Sequence, residues 1–216
     1  FLAVDADNPS SILSCLRAAR ENCHAVRGTV TSEVWETVNT TWLEARESAG
    51  ALGRGRLQGS ELTRFCEWVK FRSHLSRGVT VGTMLQDEAL HFLRIGTFLE
   101  RADNTARLLD VKFQSLAGDY FGPRPSAQLQ SQSQSQSQSQ GTVVRETLEV
   151  DFYHWSAVLR SVSGFEVYRK VYRNVIRPDK VAELLILRPD MPRSLAACMN
   201  EVVVNLESVA NEQSAD

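Results

Sequence analysis

The longest hydrophobic pattern in the chain runs from Phe92 to Leu116, FLRIGTFLERADNTARLLDVKFQSL. Apolar or small residues stand at Phe92, Ile95, Leu99, Ala102, Ala106, Leu109, Phe113 and Leu116. Steps that alternate between three and four trace one face of an α-helix. No proline interrupts the run, and Gly96 is its only weak helix former. The spacing predicts a helix that begins between Thr83 and Asp87 and is terminated by Gly118 and then Gly122-Pro123. Continuous to Leu116, it spans about 45 Å at 1.5 Å per residue. A second stripe of Gly96, Glu100, Asp103 and Arg107 runs beside the first, ~100–120° round the cylinder. Wide helical interfaces reach that far, which places these charges in a groove. The plainer reading is a solvated face with i,i+3 and i,i+4 ion pairs.

Shorter patterns of the same kind fill the rest of the chain. Asn8-Pro9-Ser10-Ser11 reads as a helix start, with Asn8 as cap and Pro9 in the first position. That helix is expected to reach about Arg27, to bury Ile12, Leu16, Ala19, Cys23 and Val26, and to end at Gly28. Thr31 caps a second helix with Val34/Trp35, Val38, Trp42 and Ala45 on its core face. It frays into GALGRGRLQG, Gly50 to Gly59, a flexible connection. Ser60 opens a third helix, with Leu62, Phe65, Val69 and Phe71 or Arg72 near its seam, stopping by Gly78 before a Val79–Gly82 turn.

Beyond the central helix, Ser131–Gln140 is a pure Ser-Gln run. It has no apolar periodicity, so a disordered tether is expected at about 124–142. Helix resumes from Thr147 to Val162 on Val150, Tyr153, Trp155, Val158 and Val162. Ser163-Gly164-Phe165-Glu166 matches a capping box and predicts a new helix start. Pro178 starts a short helix through Leu187 that Pro189 stops. A last one, from about Pro192, carries Leu195, Met199, Val202, Leu206 and Val209. No segment alternates with period two for long enough to make a strand. The chain reads as all-α, seven or eight helices around one long central helix, in a single domain over 1–216.

Composition narrows the function classes. With 43% hydrophobic residues the chain can build one sizeable core or two small ones. Lys and Arg number 24 against 26 Asp and Glu, a formal charge of −2, which points away from nucleic acid and from anionic membranes as main partners. No apolar run approaches the ~20 residues of a transmembrane helix. No signal-peptide pattern opens the chain, and Phe rather than Met at position 1 reads as a fragment or processed product. Cys15, Cys23, Cys66 and Cys198 form no Cys-x-x-Cys pair, and three of them lie on apolar helical stripes. Free thiols used as small hydrophobes imply a reducing, cytoplasmic setting.

Two Glu-x-x-His pairs, Glu21 with His24 and Glu88 with His91, prompt comparison with ferritin-like bundles, and Asp151 with His154 is a looser third. Glu21 and His24 point away from the apolar stripe of their helix, while Glu88 and His91 sit near a helix start. No metal and no cofactor is therefore expected. Gly-rich phosphate loops, nucleophile elbows and a Cys/His/Asn context are also missing. The remaining chemistry is charge on helices: Arg20, Glu21 and Arg27 on one, Glu100, Arg101, Asp103 and Arg107 on another. Such groups pair with one another, Glu100 with Arg20 or Arg27 first, or hold a carboxylate or phosphate with spare guanidinium donors.

Several short pieces resemble the Alpha-E domain family, a bacterial all-helical family named for its Glu-Arg motif. They are Asn8-Pro9-Ser10-Ser11-Ile12, Ala19-Arg20-Glu21-Asn22 with Arg27, and Trp35-Glu36 with Asn39. Phe98-Leu99-Glu100-Arg101-Ala102-Asp103 followed by Arg107 looks like the Glu-Arg motif itself. Trp155 with Leu159-Arg160-Ser161, Tyr168-Arg169 and Pro192-Arg193-Ser194 complete the likeness. The resemblance implies a domain encoded beside, or fused to, ATP-grasp ligases and transglutaminase-like proteins, in peptide synthesis or modification. Family members usually begin with an earlier Glu-Arg helix, so the chain looks truncated at its N-terminus. The expected role is a helical accessory or co-catalytic partner of an ATP-grasp amide ligase, binding a peptide or the ligase through a charged groove. The rivals are an enzyme that uses Glu100 as acid or base with Arg107 or Arg101 holding an anion, and a ferritin-like metal protein.

Overall fold

In a computed structural model that describes residues 2–52, 59–121 and 152–210, every regular element is an α-helix. The order is α1 (Ile12–Ala25), α2 (Ser32–Leu52), α3 (Gly59–Thr83), α4 (Glu88–Phe121), α5 (residues 152–161), α6 (Phe165–Tyr172), α7 (Pro178–Ile186) and α8 (Leu195–Val209). The Ser/Gln stretch, with the tether expected at about 124–142, lies outside the described residues, as do Val150 and most of the Gly50–Gly59 connection. The chain divides into two compact units, Phe1–Leu90 and His91–Asp216.

In the first unit α1 packs on α2 and α2 on α3. The opening of α1 differs from the expectation. The Asn8 carboxamide accepts from the Ser10 amide at 3.0 Å, which makes Asn8-Pro9 a turn. Buried Ser11 is the cap, its hydroxyl accepting from the Ser14 amide at 3.1 Å. Leu2 and Ala3 carbonyls take the Ile12 and Leu13 amides at 3.0 and 3.1 Å, so the first orphan donors of the helix are satisfied by the preceding chain. Thr31 caps α2 as expected, accepting from the Val34 amide at 3.3 Å.

Helix α2 continues through Gly50, and α3 runs on through Gly78 and Gly82, so the expected Val79–Gly82 turn is instead helix. A single glycine costs a helix only ~1 kcal/mol. Val79 packs on the core of Cys23, Val34, Met84 and Leu90, which outweighs that cost. Arg72, not exposed Phe71, occupies the α2–α3 seam, with Nε donating to the Thr41 hydroxyl at 2.8 Å and Nη2 to the Thr37 carbonyl at 3.1 Å.

Helix α4 starts where predicted, with the Asp87 carboxylate accepting from the Leu90 amide at 3.3 Å. It passes Gly118 and reaches Phe121. Its buried face, however, is rotated from the expected one. Ile95, Ala102, Thr105 and Leu109 are buried and His91, Phe98 and Lys112 half-buried, while Phe92, Leu99, Ala106 and Phe113 are exposed. At ~100° per residue the seam sits about 50° from the predicted stripe. Polar members explain the displacement, because each finds a partner. The Thr105 hydroxyl lies 3.1 Å from the Arg101 carbonyl and 2.9 Å from the Arg193 carbonyl. Asn205 Nδ2 donates to the Glu201 carbonyl at 2.7 Å, so its oxygen accepts from His91 Nδ1 at 2.8 Å. Lys112 Nζ donates to His154 Nδ1 at 3.0 Å.

The core of the second unit gathers Leu109, Trp155, Leu159, Val162, Tyr168, Leu184 and Leu185 among others. The capping box does not form. Ser163 adopts a left-handed φ of 54° as the residue that ends α5, its amide reaching the Arg160 carbonyl at 3.1 Å and the Gly164 amide the Leu159 carbonyl at 2.7 Å. Gly164 then opens α6 without a side-chain cap. A Cβ there would come within 3.2 Å of Met191 Cε and 3.3 Å of Val162 Cγ2, so the close approach favours glycine.

Helices α6 and α7 are clasped by Tyr172, which donates to Glu183 Oε1 at 3.1 Å while Lys180 reaches Oε2 at 2.6 Å. Burial first, and the Glu183 bond second, push the Tyr172 hydroxyl up to about 12. Between its ordinary pKa near ~10 and that value, only the folded chain keeps this proton, so stability falls as pH rises through the window. Denaturant midpoints from pH 9 to 12 should therefore decline less steeply in Tyr172→Phe than in the native chain.

Candidate functional site

The charged residues singled out from sequence fall into two clusters, one in each unit. In the second unit, the rotation of the α4 seam carries Glu100, Asp103 and Arg107 to ~160° from its centre. All three are exposed. Arg107 Nε bonds Asp103 Oδ2 at 2.7 Å, and Asn104 donates to Glu100 Oε1 at 3.1 Å. The Asp103 bond raises the Arg107 pKa further above its ordinary value. These are i,i+4 contacts along one helix, the arrangement of the plainer reading, in place of the cross-helix pairs expected of a groove.

Arg101 faces elsewhere. It is half-buried, its Nη1 donates to the Pro192 carbonyl at 3.3 Å, and its guanidinium lies 5.1 Å from the Phe98 ring centre. Thr105, one turn on, meets the next carbonyl, Arg193. Together they fasten α4 to the turn before α8, where buried Ser194 caps that helix by accepting from the Ala197 amide at 2.9 Å. Glu100 and Arg101 therefore do different work: the arginine holds the fold and the glutamate faces water.

In the first unit, Arg20, Glu21 and Arg27 do come together, around a residue the charge pattern did not single out. Trp35 of α2 has the Arg20 guanidinium 5.7 Å and the Arg27 guanidinium 5.9 Å from its ring centre, with the His24 ring tilted against it at 5.5 Å. Arg20 Nε donates to Asn39 Oδ1 at 2.9 Å and Nη1 to Glu21 at 2.7 Å. Arg27 donates to the Val30 carbonyl at 3.2 Å and to the Ser32 hydroxyl at 3.3 Å. The i, i+4, i+7 spacing of Arg20, His24 and Arg27 was a readable signal. Nothing local in sequence ties them to Trp35 and Asn39.

Neither Glu-x-x-His pair builds a donor set, since His24 lies on Trp35 and His91 bonds Asn205. Among the described residues no three His, Cys, Asp or Glu side chains gather where they could hold a metal ion. All four cysteines are free. Burial pushes the thiols of Cys23 and Cys198 up, against the pull of neighbouring arginines, so both are poor nucleophiles.

A family model covers residues 1–216, and its description is of Alpha-E, a predicted alpha-helical domain with a conserved ER motif. The chain belongs to the Alpha-E family. Its only Glu-Arg dipeptide is Glu100-Arg101, so this Alpha-E chain carries the motif on α4. No curated protein and no solved structure matches it. Among the described residues, no helix of this Alpha-E domain is long and apolar enough to cross a membrane.

Proposed function

We propose that this Alpha-E domain is an accessory or co-catalytic partner of an ATP-grasp type amide ligase, or of a transglutaminase-like protein, in peptide synthesis or modification. It binds the ligase or its peptide through its charged helical faces. The observation that carries this reading is the outward α4 face. Glu100, Asp103, Asn104 and Arg107 are held by contacts along their own helix and remain open to solvent. Side chains ordered before an encounter lose less entropy on docking, and a patch of both signs favours one orientation of a charged partner. The same exposure argues against Glu100 and Arg107 as an enzyme's acid and anion holder. Arg107 is already spent on Asp103, and its side chain is 74% exposed, so little there excludes water.

The test is retention of an ATP-grasp ligase from the same genome on the immobilised 216-residue chain. Combining Glu100→Gln, Asp103→Asn and Arg107→Ala should weaken retention ~10-fold or more while leaving the denaturant midpoint close to that of the native chain. Arg101→Ala should do the reverse in kind, costing ~1–2 kcal/mol of stability through the lost Pro192 bond. Undiminished retention by the triple variant would sink the reading.

A further inference from the structure

We infer that the α1–α2 face around Trp35 is a binding site for a carboxylate, and specifically for the C-terminal carboxylate of a peptide with an apolar last residue. The inference deepens the reading above, because it rests on the domain engaging a peptide.

Each guanidinium offers five N–H donors. Arg20 uses one on Asn39 and one on Glu21, and Arg27 one on Val30 and one on Ser32, which leaves three on each. Asn39 accepts from Arg20 through its oxygen, so its amide nitrogen is a further donor on the same face, with no partner among the described residues. Arg20, Arg27 and Asn39 are all half-buried, so these donors are partly withdrawn from water. Donors in that condition gain more from an anion than fully solvated ones do.

Charge selects the class of anion. Two arginines stand within 6 Å of one indole; Glu21 pairs with Arg20 from a 60% exposed position, and Arg27 forms no ion pair among the described residues. One guanidinium without a carboxylate partner suits a monoanion better than a phosphate dianion. The edge of a guanidinium also matches the two oxygens of a carboxylate. Trp35 adds an apolar surface next to the charge, where the side chain of a terminal residue can lie. A side-chain carboxylate of Asp or Glu carries the same charge but no apolar group beyond it, which separates the two sources.

Isothermal titration of the full 216-residue chain decides the matter. The probes are N-acetyl-glycyl-leucine as free acid, the same dipeptide as its C-terminal amide, N-acetyl-glutamate α-amide and inorganic phosphate. The free acid should bind at least ~10-fold more tightly than each of the others, the loss expected when charge-assisted bonds are removed. Arg27→Gln should lose a similar factor while retaining native helicity by circular dichroism. Equal affinity for acid and amide, tighter binding of phosphate or of the glutamate amide, or no binding of any probe would overturn the proposal. The native-chain comparisons stand even if the variant misfolds. Because Arg27 is remote in sequence from the α4 face, ligase retention measured alongside separates failure of this site from failure of the docking role.

Discussion

Trp155→Ala should lower the unfolding free energy by ~3–5 kcal/mol, the range for emptying a buried tryptophan site. The indole is fully buried at the centre of the second unit's core, packed edge-on against Phe113 at 5.4 Å between ring centres, with Lys112 Nζ 5.9 Å from its ring. Leu109, Leu159 and Val162 belong to the same cluster, so the cavity opens among side chains on two helices and cannot close by moving one. Trp155→Phe is the informative companion. Among the described residues the buried indole Nε1 has no hydrogen-bond partner, so exchange for phenylalanine removes a group already at a cost while keeping most of the apolar surface. Its loss should stay under ~1.5 kcal/mol. Urea unfolding followed by far-ultraviolet circular dichroism measures both. Equal losses in the two variants would mean that packing volume does not govern this position.

Tyr168→Phe is expected to cost ~1–3 kcal/mol although it removes a single oxygen. The hydroxyl accepts from the Arg177 amide at 3.0 Å and donates to the Val175 carbonyl at 3.1 Å, and the residue is fully buried. Its loss strands two backbone groups at once. Arg177 is the N-cap of α7 and makes no side-chain cap bond, so the tyrosine is what pins that helix start. Amide hydrogen exchange at Arg177 and in the first turn of α7 should accelerate before the rest of the unit opens. Unchanged exchange there would show that the Pro178 ring alone fixes the start.

Which parts of this were legible in the sequence follows from what periodicity measures. Helix existence was readable nearly throughout, since proline, cap residues and apolar spacing agree at Thr31, Asp87 and Pro178. The α4 and α8 seams were misplaced for one reason. Counting apolar residues favours Leu99 and Met199, whereas the fold buries Thr105 and Asn205, each satisfied by a partner distant in sequence. A hydrophobic scale cannot register such a satisfied polar residue. The same apolar count is what points Glu100, Asp103 and Arg107 into a groove. Glycines mislead in the other direction, because Gly50, Gly78 and Gly82 pattern as breaks where packing carries the helix through. At Ser163 the Ser-x-x-Glu pattern was present, but the same four residues had first to end α5. In the first unit the arginines were visible as a helical face, and the aromatic they gather around was visible only as core.

The division of labour in Glu100-Arg101 also limits how α4 can roll. Neighbouring residues on a helix point ~100° apart, so a motif of two consecutive positions always faces two surroundings at once. With Arg101 held at Pro192 and Thr105 at Arg193, the cylinder is locked in azimuth at two levels one turn apart. Glu100 is thereby given a fixed bearing, although among the described residues only Asn104 is hydrogen-bonded to it. Direction at the surface is set from beneath, like the hand of a clock by its spindle. A partner docking on Glu100 meets a carboxylate whose heading belongs to the α8 end of the unit, and a change at Pro192–Ser194 would turn it without altering a single exposed charge.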